Sequence, residues 1–185
     1  MCIRDRAYSS IGHMGFALVG LAAGTSEGVE GVIVYLAIYL AMTLGTFACI
    51  LAMRRNGRMV EDIDALSGLS RTNPLMAFTL AMLLFSLAGI PPLAGFFAKF
   101  YVFLAAVHAG LYPLAVIGVL LSAVGAFYYL RIVKLMYFDP PAERFDPVPT
   151  ALAGVLTVTG LFTLLFFVYP SPLVSIAEAA SKSLF

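Results

Sequence analysis

The feature that most constrains the fold is the stretch "FSLAGIPPLAGFFAKFYVFLAA", Phe85 to Ala106, inside an apolar run that extends over residues 74–108. Two consecutive prolines interrupt it, glycines flank them, and one lysine, Lys99, stands in its second half. A helix cannot pass through Pro91 and Pro92 unbroken. Neither has an N–H, and Pro92 pushes Pro91 out of the helical region. Gly89 and Gly95 supply the dihedral freedom that such a break needs. If the run lies at membrane depth, the carbonyls freed around Ala88 to Pro91 cannot face lipid, because non-helical backbone survives there only under protein or water.

Membrane depth follows from the rest of the chain. Of its 185 residues 62% are hydrophobic and 11% charged, and the mean hydropathy is +0.99. A soluble domain is about half apolar and about a quarter charged. Several runs exceed the length of about 18 residues needed to cross a hydrocarbon core of about 30 Å. The chain reads as an integral membrane protein, with the lipid bilayer as its first partner. A net charge of +1 and the lack of a basic patch interleaved with aromatics give no reason to expect nucleic acid. Cys2 and Cys49 are too far apart to suggest a metal site or a disulfide framework.

Along the chain the reading is all-α. Residues 8–23 are expected to form a first helix and 31–53 a second, joined by "GTSEGVEG". Residues 59–73 are polar enough to lie outside the bilayer, and Pro74 suits the first position of the next helix. After the run at 74–108, a helix is expected over 113–138, a proline-rich loop at "DPPAERFDPVP", and a last crossing over 149–169. Residues 171–185 read as a weakly amphipathic tail, and 7–170 as the transmembrane domain. "MCIRDR" runs into an apolar helix with no cap, and is taken as a non-native leader over residues 1–6. No cleavable signal peptide is expected.

Charge decides how often 74–108 crosses. With one crossing, Arg54, Arg55, Arg58, Arg71, Arg131, Lys134 and Arg144 share one side, and the other has Lys182. With two, Arg131, Lys134 and Arg144 move to the opposite face, against the bias of Lys and Arg to one side. One crossing is therefore expected, for a total of about five. A continuous helix over 74–108 would reach roughly 52 Å at about 1.5 Å per residue. Unwinding at the prolines absorbs the excess.

Every Asp and Glu falls in a loop, at a helix end or in the tail, which makes Lys99 the one charge well inside a span. A mid-membrane cation costs several kcal/mol, and its default reading is an ion or proton path. Snorkelling serves lysines near helix ends, and Lys99 is far from one. Its helical neighbours Gly95, Phe96, Val102 and Phe103 include no carboxylate, so an acidic partner would have to come from outside this chain. His13 shares a helix face with Ser9 and Ser10, and imidazole relays protons near neutral pH. Tyr35, Tyr39 and Thr43 form a polar stripe, suited to lining water or to joining helices. Tyr128 shares a face with Arg131 and Lys134 and reaches deeper than they do, towards Lys99. His108, at a helix end, reads as structural. No phosphate loop, dinucleotide fingerprint or nucleophile–base pair is present.

Two motifs, "AYSSIGHMG" and "SLAGIPPLAGFFAKFYVF", resemble the antiporter-like membrane subunits of the proton-pumping NADH–quinone oxidoreductase (respiratory complex I), with wording nearest the subunit N branch. The resemblance covers 7–185. In that family a discontinuous helix with a G-x-P break precedes G-F-x-x-K, matched here by Gly89, Pro91, Gly95, Phe96 and Lys99. It implies that Lys99 is a proton-translocation residue and that His13 occupies a family position. It also implies a fold of two inverted repeats, of which these spans would be the last five, the chain being a C-terminal part. No cofactor would be bound by this chain. NADH and quinone would be used by the whole complex, whose other membrane subunits would be its partners in a bacterial inner membrane. A subunit of a multi-subunit Na⁺/H⁺ antiporter and a non-pumping scaffold are the alternatives.

Overall fold

The computed structural model describes residues 3–183, and side chains from Tyr8 onward. Met1 and Cys2 of the expected leader, and Leu184 and Phe185 of the tail, lie outside the described residues. The elements in order are α1 (Ile3–Ala22), α2 (Ser26–Leu51), a two-stranded ribbon of β1 (Arg54–Arg55) and β2 (Arg58–Met59), a 3-10 turn (Ile63–Leu66), α3 (Leu69–Thr72), α4 (Pro74–Ala88), α5 (Ala94–His108), α6 (Tyr112–Phe138), α7 (Thr150–Leu165) and α8 (Ser171–Lys182). Apart from the ribbon, paired Arg54 to Met59 and Arg55 to Arg58, the described chain is helical or loop.

Several boundaries differ from the sequence reading: the first helix is already formed at Ile3 rather than at 8, and the last crossing ends at Leu165 rather than at 169. The second helix begins at Ser26 rather than at 31, because Thr25 caps it by accepting from the Gly28 N–H at 3.1 Å. Glu27 in the first turn favours the positive end of the helix dipole. Residues 171–182 are also more than a weakly amphipathic tail. They form a helix whose Ala177 and Ser181 are buried, with Ser181 Oγ 3.2 Å from Ser26 Oγ at the start of α2.

α2 is the central post. Gly31 lies against the backbone of Tyr101 and Val102, and Gly45 against Leu83. Between them the Ser86 hydroxyl donates to Met42 Sδ at 2.9 Å. Moving along α2 from 31 to 45, the contacts run back steadily from 102 to 83. α4 and α5 therefore follow one another in a single direction along α2 and do not fold back as a hairpin. They are two halves of one discontinuous helix.

The two ends of the bundle differ. At one end, the loops after α2 and α6 clasp each other. Asp146 accepts from the Asn56 and Gly57 N–H groups at 3.2 and 2.9 Å, its own N–H donates to Arg54 O at 2.7 Å, and Gly68 N–H donates to Leu135 O at 3.0 Å. At the other end, Glu27 pairs with His108 at 2.8 Å, in keeping with a structural His108. By length and composition α2 and α6 are each apolar enough to cross a membrane, while α4, α5 and α7 are shorter apolar helices. The outer face of α6 exposes Val124 and Phe127, at 70% and 74%. An apolar surface of that kind needs lipid or a partner rather than water.

Candidate functional site

The site begins with how α4 ends. A helix leaves its last four carbonyls without intrahelical partners. Gly89, at φ 88°, turns the chain into the left-handed region, which its missing side chain permits. The turn brings the Gly89 N–H to Ser86 O at 2.9 Å and the Ile90 N–H to Phe85 O at 3.0 Å, the paired bonds of a Schellman ending. Two carbonyls remain, those of Leu87 and Ala88, and Pro91 and Pro92 have no N–H to offer them. The Pro91–Pro92 bond is cis.

Lys99 fills that vacancy. Its ammonium donates to Leu87 O at 3.1 Å, to Ala88 O at 3.0 Å and to Ser122 Oγ of α6 at 2.7 Å. Three protons meet three oxygens. The lysine is 8% exposed, and the Phe16 ring of α1 lies 5.0 Å from Nζ. The carboxylate that the sequence reading sought for Lys99 has a substitute within this chain. The negative end of the α4 dipole, with its two open carbonyls, faces the cation. Among the described residues no carboxylate pairs with Lys99.

The two half-helices are also latched directly. Ser86 Oγ accepts from the Gly95 N–H at 2.9 Å, so a side chain of α4 caps the start of α5. Gly95 is obligatory, since a Cβ there would meet Ser86 O at 1.9 Å. At Gly89 the constraint is the backbone at φ 88°, where a side chain is strained, while a Cβ there would face the movable Lys99 Cδ at 3.0 Å.

His13 organises a second cluster. It is 3% exposed. Nδ1 lies 2.6 Å from the Tyr35 hydroxyl and Nε2 3.2 Å from the Tyr129 hydroxyl, which in turn is 2.5 Å from Ser9 Oγ. Tyr39 stacks on the imidazole with ring centroids 4.9 Å apart, and its hydroxyl donates to Ser10 Oγ at 3.2 Å. The Tyr35–Tyr39 stripe of α2 thus joins helices through His13. Each of Tyr35, His13, Tyr129 and Ser9 carries a group able both to donate and to accept a hydrogen bond.

Of the residues singled out in the sequence, Lys99, Gly89, Pro91, Pro92 and Gly95 gather at the break, and His13 stands apart from them across Phe16. Tyr128 is half-buried, with its ring packed edge-on to Tyr129. The tyrosine on His13 is its neighbour Tyr129, one residue and about 100° further round the helix. Ser122, also unread in the sequence, is the one serine of α6. Its one signal is the spacing of seven to Tyr129, which returns to the same face.

A helix bundle of apolar surface, with one helix broken inside it and a buried cation seated on the break, is the architecture of a membrane ion-transport subunit. The chain belongs to the family described as NADH:quinone oxidoreductase/Mrp antiporter, TM, whose model matches residues 4–125. It is 66% identical over 182 residues to NADH-quinone oxidoreductase subunit N of Parvibaculum lavamentivorans, covering 98% of this chain and 38% of that relative. Among solved structures, it superposes on a chain of respiratory complex I from Thermus thermophilus with TM-score 0.78 and 31% identity, over 91% of this chain and 38% of that one. A chain of the Mrp complex from Dietzia sp. DQ12-45-1b superposes with TM-score 0.80 at 24% identity, over 93% and 40% of the two chains, a likeness of fold.

Proposed function

We propose that this chain is the broken-helix half of a subunit N-type component of the proton-translocating NADH–quinone oxidoreductase, and that Lys99 is its protonatable relay. One observation carries the reading. The ammonium of Lys99 is buried at the discontinuity of α4 and α5 and is held by neutral oxygens alone. A lysine locked in a salt bridge has a permanent counter-charge opposing proton loss. One held by carbonyls and a hydroxyl can release a proton without stranding an anion.

Five crossings fit the bundle: α1, α2, the pair α4–α5, α6 and α7. The loops at the clasped end include Arg54, Arg55, Arg58, Arg71 and Arg144, with Arg131 and Lys134 in the last turns of α6. That end would face the cytoplasm of a bacterial inner membrane. NADH and quinone would react in other subunits, which would be its partners along with the bilayer. The high identity to subunit N across nearly the whole chain favours this reading over a Na⁺/H⁺ antiporter subunit, for which the likeness is of fold.

The test is NADH-driven proton pumping in membrane vesicles from a strain whose full-length subunit carries Lys99→Met. Lost pumping with normal assembly of the complex is expected. Normal pumping would overturn the relay and leave a scaffold built around a kinked helix.

A further inference from the structure

Each half of the broken helix is capped by the other. At the end of α4, the open carbonyls of Leu87 and Ala88 are taken by Lys99 of α5. At the start of α5, the first N–H groups also lack intrahelical partners. A helix commonly answers them with a polar residue at its own N-cap, whose side chain accepts from the second or third helical N–H. The N-cap of α5 is Leu93, which has no such atom. Ser86 of α4 supplies the cap from across the break, accepting from the N–H of Gly95, the second residue of α5, at 2.9 Å.

The two caps form one frame. Ser86 directly precedes Leu87 and Ala88 on α4, and Gly95 and Lys99 are four residues apart on one face of α5. The bond from Ser86 to Gly95 therefore fixes where the ammonium, one turn further on, meets the two carbonyls. Ser86 is itself held from three sides. It is fully buried, its carbonyl accepts from the Gly89 N–H at 2.9 Å, and its hydroxyl donates to Met42 Sδ of α2 at 2.9 Å. With the hydroxyl proton committed to the sulfur, the oxygen is left as an acceptor for Gly95.

The caps differ in what sustains them. The bonds from Lys99 are charge-assisted, and a neutral amine donates only about half as strongly as an ammonium. Each time a relay lysine gives up its proton, its hold on the end of α4 loosens. The bond from Gly95 to Ser86 involves no titrating group and persists. We propose that Ser86 is a positioning residue for Lys99, holding the two half-helices in register while the lysine is neutral, so that the ammonium re-forms in the same seat. The inference rests on the reading of Lys99 as a relay and adds what preserves its site while the charge is absent.

Protons pumped per NADH oxidised, read beside the amount of assembled complex in membrane vesicles, test this in strains carrying the full-length subunit. Ser86→Ala is expected to lower the ratio about fivefold, the scale of one lost helix cap. Ser86→Cys keeps the size and a weak donor and acceptor, and should recover part of the loss. Met42→Leu conserves volume and removes only the sulfur that orients Ser86, so its ratio should fall less than that of Ser86→Ala while the complex assembles. Should Ser86→Ala fail to assemble, Ser86→Cys and Met42→Leu decide: a lowered ratio in either supports the positioning role, and a normal ratio in both overturns it. A normal ratio in an assembled Ser86→Ala also overturns it, even where less complex is present, because a merely structural latch lowers the amount and leaves the ratio unchanged. Lost pumping in Lys99→Met beside normal ratios in these variants removes this inference and leaves the relay standing. Normal pumping in Lys99→Met removes both.

Discussion

The two buried polar clusters are built by opposite means. Around Lys99, most of the partners are backbone, created where α4 stops, and the side chain that uses them comes from the following half-helix eleven and twelve residues later in the chain. Around His13, every partner is a side-chain hydroxyl, and they arrive from α1, α2 and α6. The break is a local device, since Gly89, the prolines and Gly95 dictate it wherever the helix is packed. The histidine cluster exists only if three helices meet in one register. A local device should be brittle to substitutions that touch backbone, and an assembled one should degrade in proportion to the bonds removed.

The largest effect is expected from Gly95→Ala. Its Cβ would fall 1.9 Å from a backbone oxygen of α4, and overpacking against backbone costs about 1–3 kcal/mol or more. The expected outcome is loss of the subunit from the assembled complex, read by the amount of intact complex in the membrane. Normal assembly would mean that the two half-helices can part without harm, and the brittle side of the comparison would fail.

A smaller effect is expected from Tyr35→Phe. It leaves His13 Nδ1 buried without its 2.6 Å partner, and an unmade buried hydrogen bond costs about 1–3 kcal/mol. A lowered thermal midpoint of the purified complex with assembly retained is the expected result. Tyr39→Phe keeps the ring stacked on His13 and removes only the exposed bond to Ser10. Interhelical bonds in membranes average about 0.6 kcal/mol, so its midpoint should barely move. Equal losses from the two substitutions would blur the distinction between an organising histidine and simple packing.

The smallest effect belongs to α8. Lys182 holds the Glu178 carboxyl below its usual range, mainly by the hydrogen bond between them, and Glu178 holds the Lys182 ammonium above its own. A lowered carboxyl contributes stability above its ordinary range and loses it as pH falls through the lowered value. A raised ammonium contributes below its ordinary range and loses it as pH rises through the raised one. Both groups are fully solvated, and exposed pairs contribute little. Amide exchange in the last turn of α8 should quicken slightly at either extreme, and Lys182→Gln should abolish that dependence while the helix stays docked.

Much of the architecture was legible because membrane physics writes it coarsely. The apolar runs, the break at 89–93 and the isolation of Lys99 follow from residue type alone. The start of α2 was misjudged, although Thr25 and Glu27 are ordinary signals of a helix beginning, because "GTSEGVEG" is polar enough to resemble a loop. Adjacent tyrosines at 128 and 129 differ by about 100° around α6, and in a helix apolar all round, no periodicity says which of them faces inward. Ser122 was invisible for the same reason.

Sequence by itself determined that this chain belongs in a membrane, where its helix must break, and that one ammonium would be buried beyond the break. Those outcomes depend on hydropathy, on the missing N–H groups of two prolines and on the cost of a charge in hydrocarbon, all properties of residues in order. Tertiary structure alone decided what the ammonium holds and what stands beside it. Which carbonyls remain open after the Schellman turn, which face of α6 presents Ser122 and Tyr129, and where Phe16 intervenes depend on how helices far apart in sequence rotate against one another. That rotation is set by packing, in which each helix answers to all its neighbours at once.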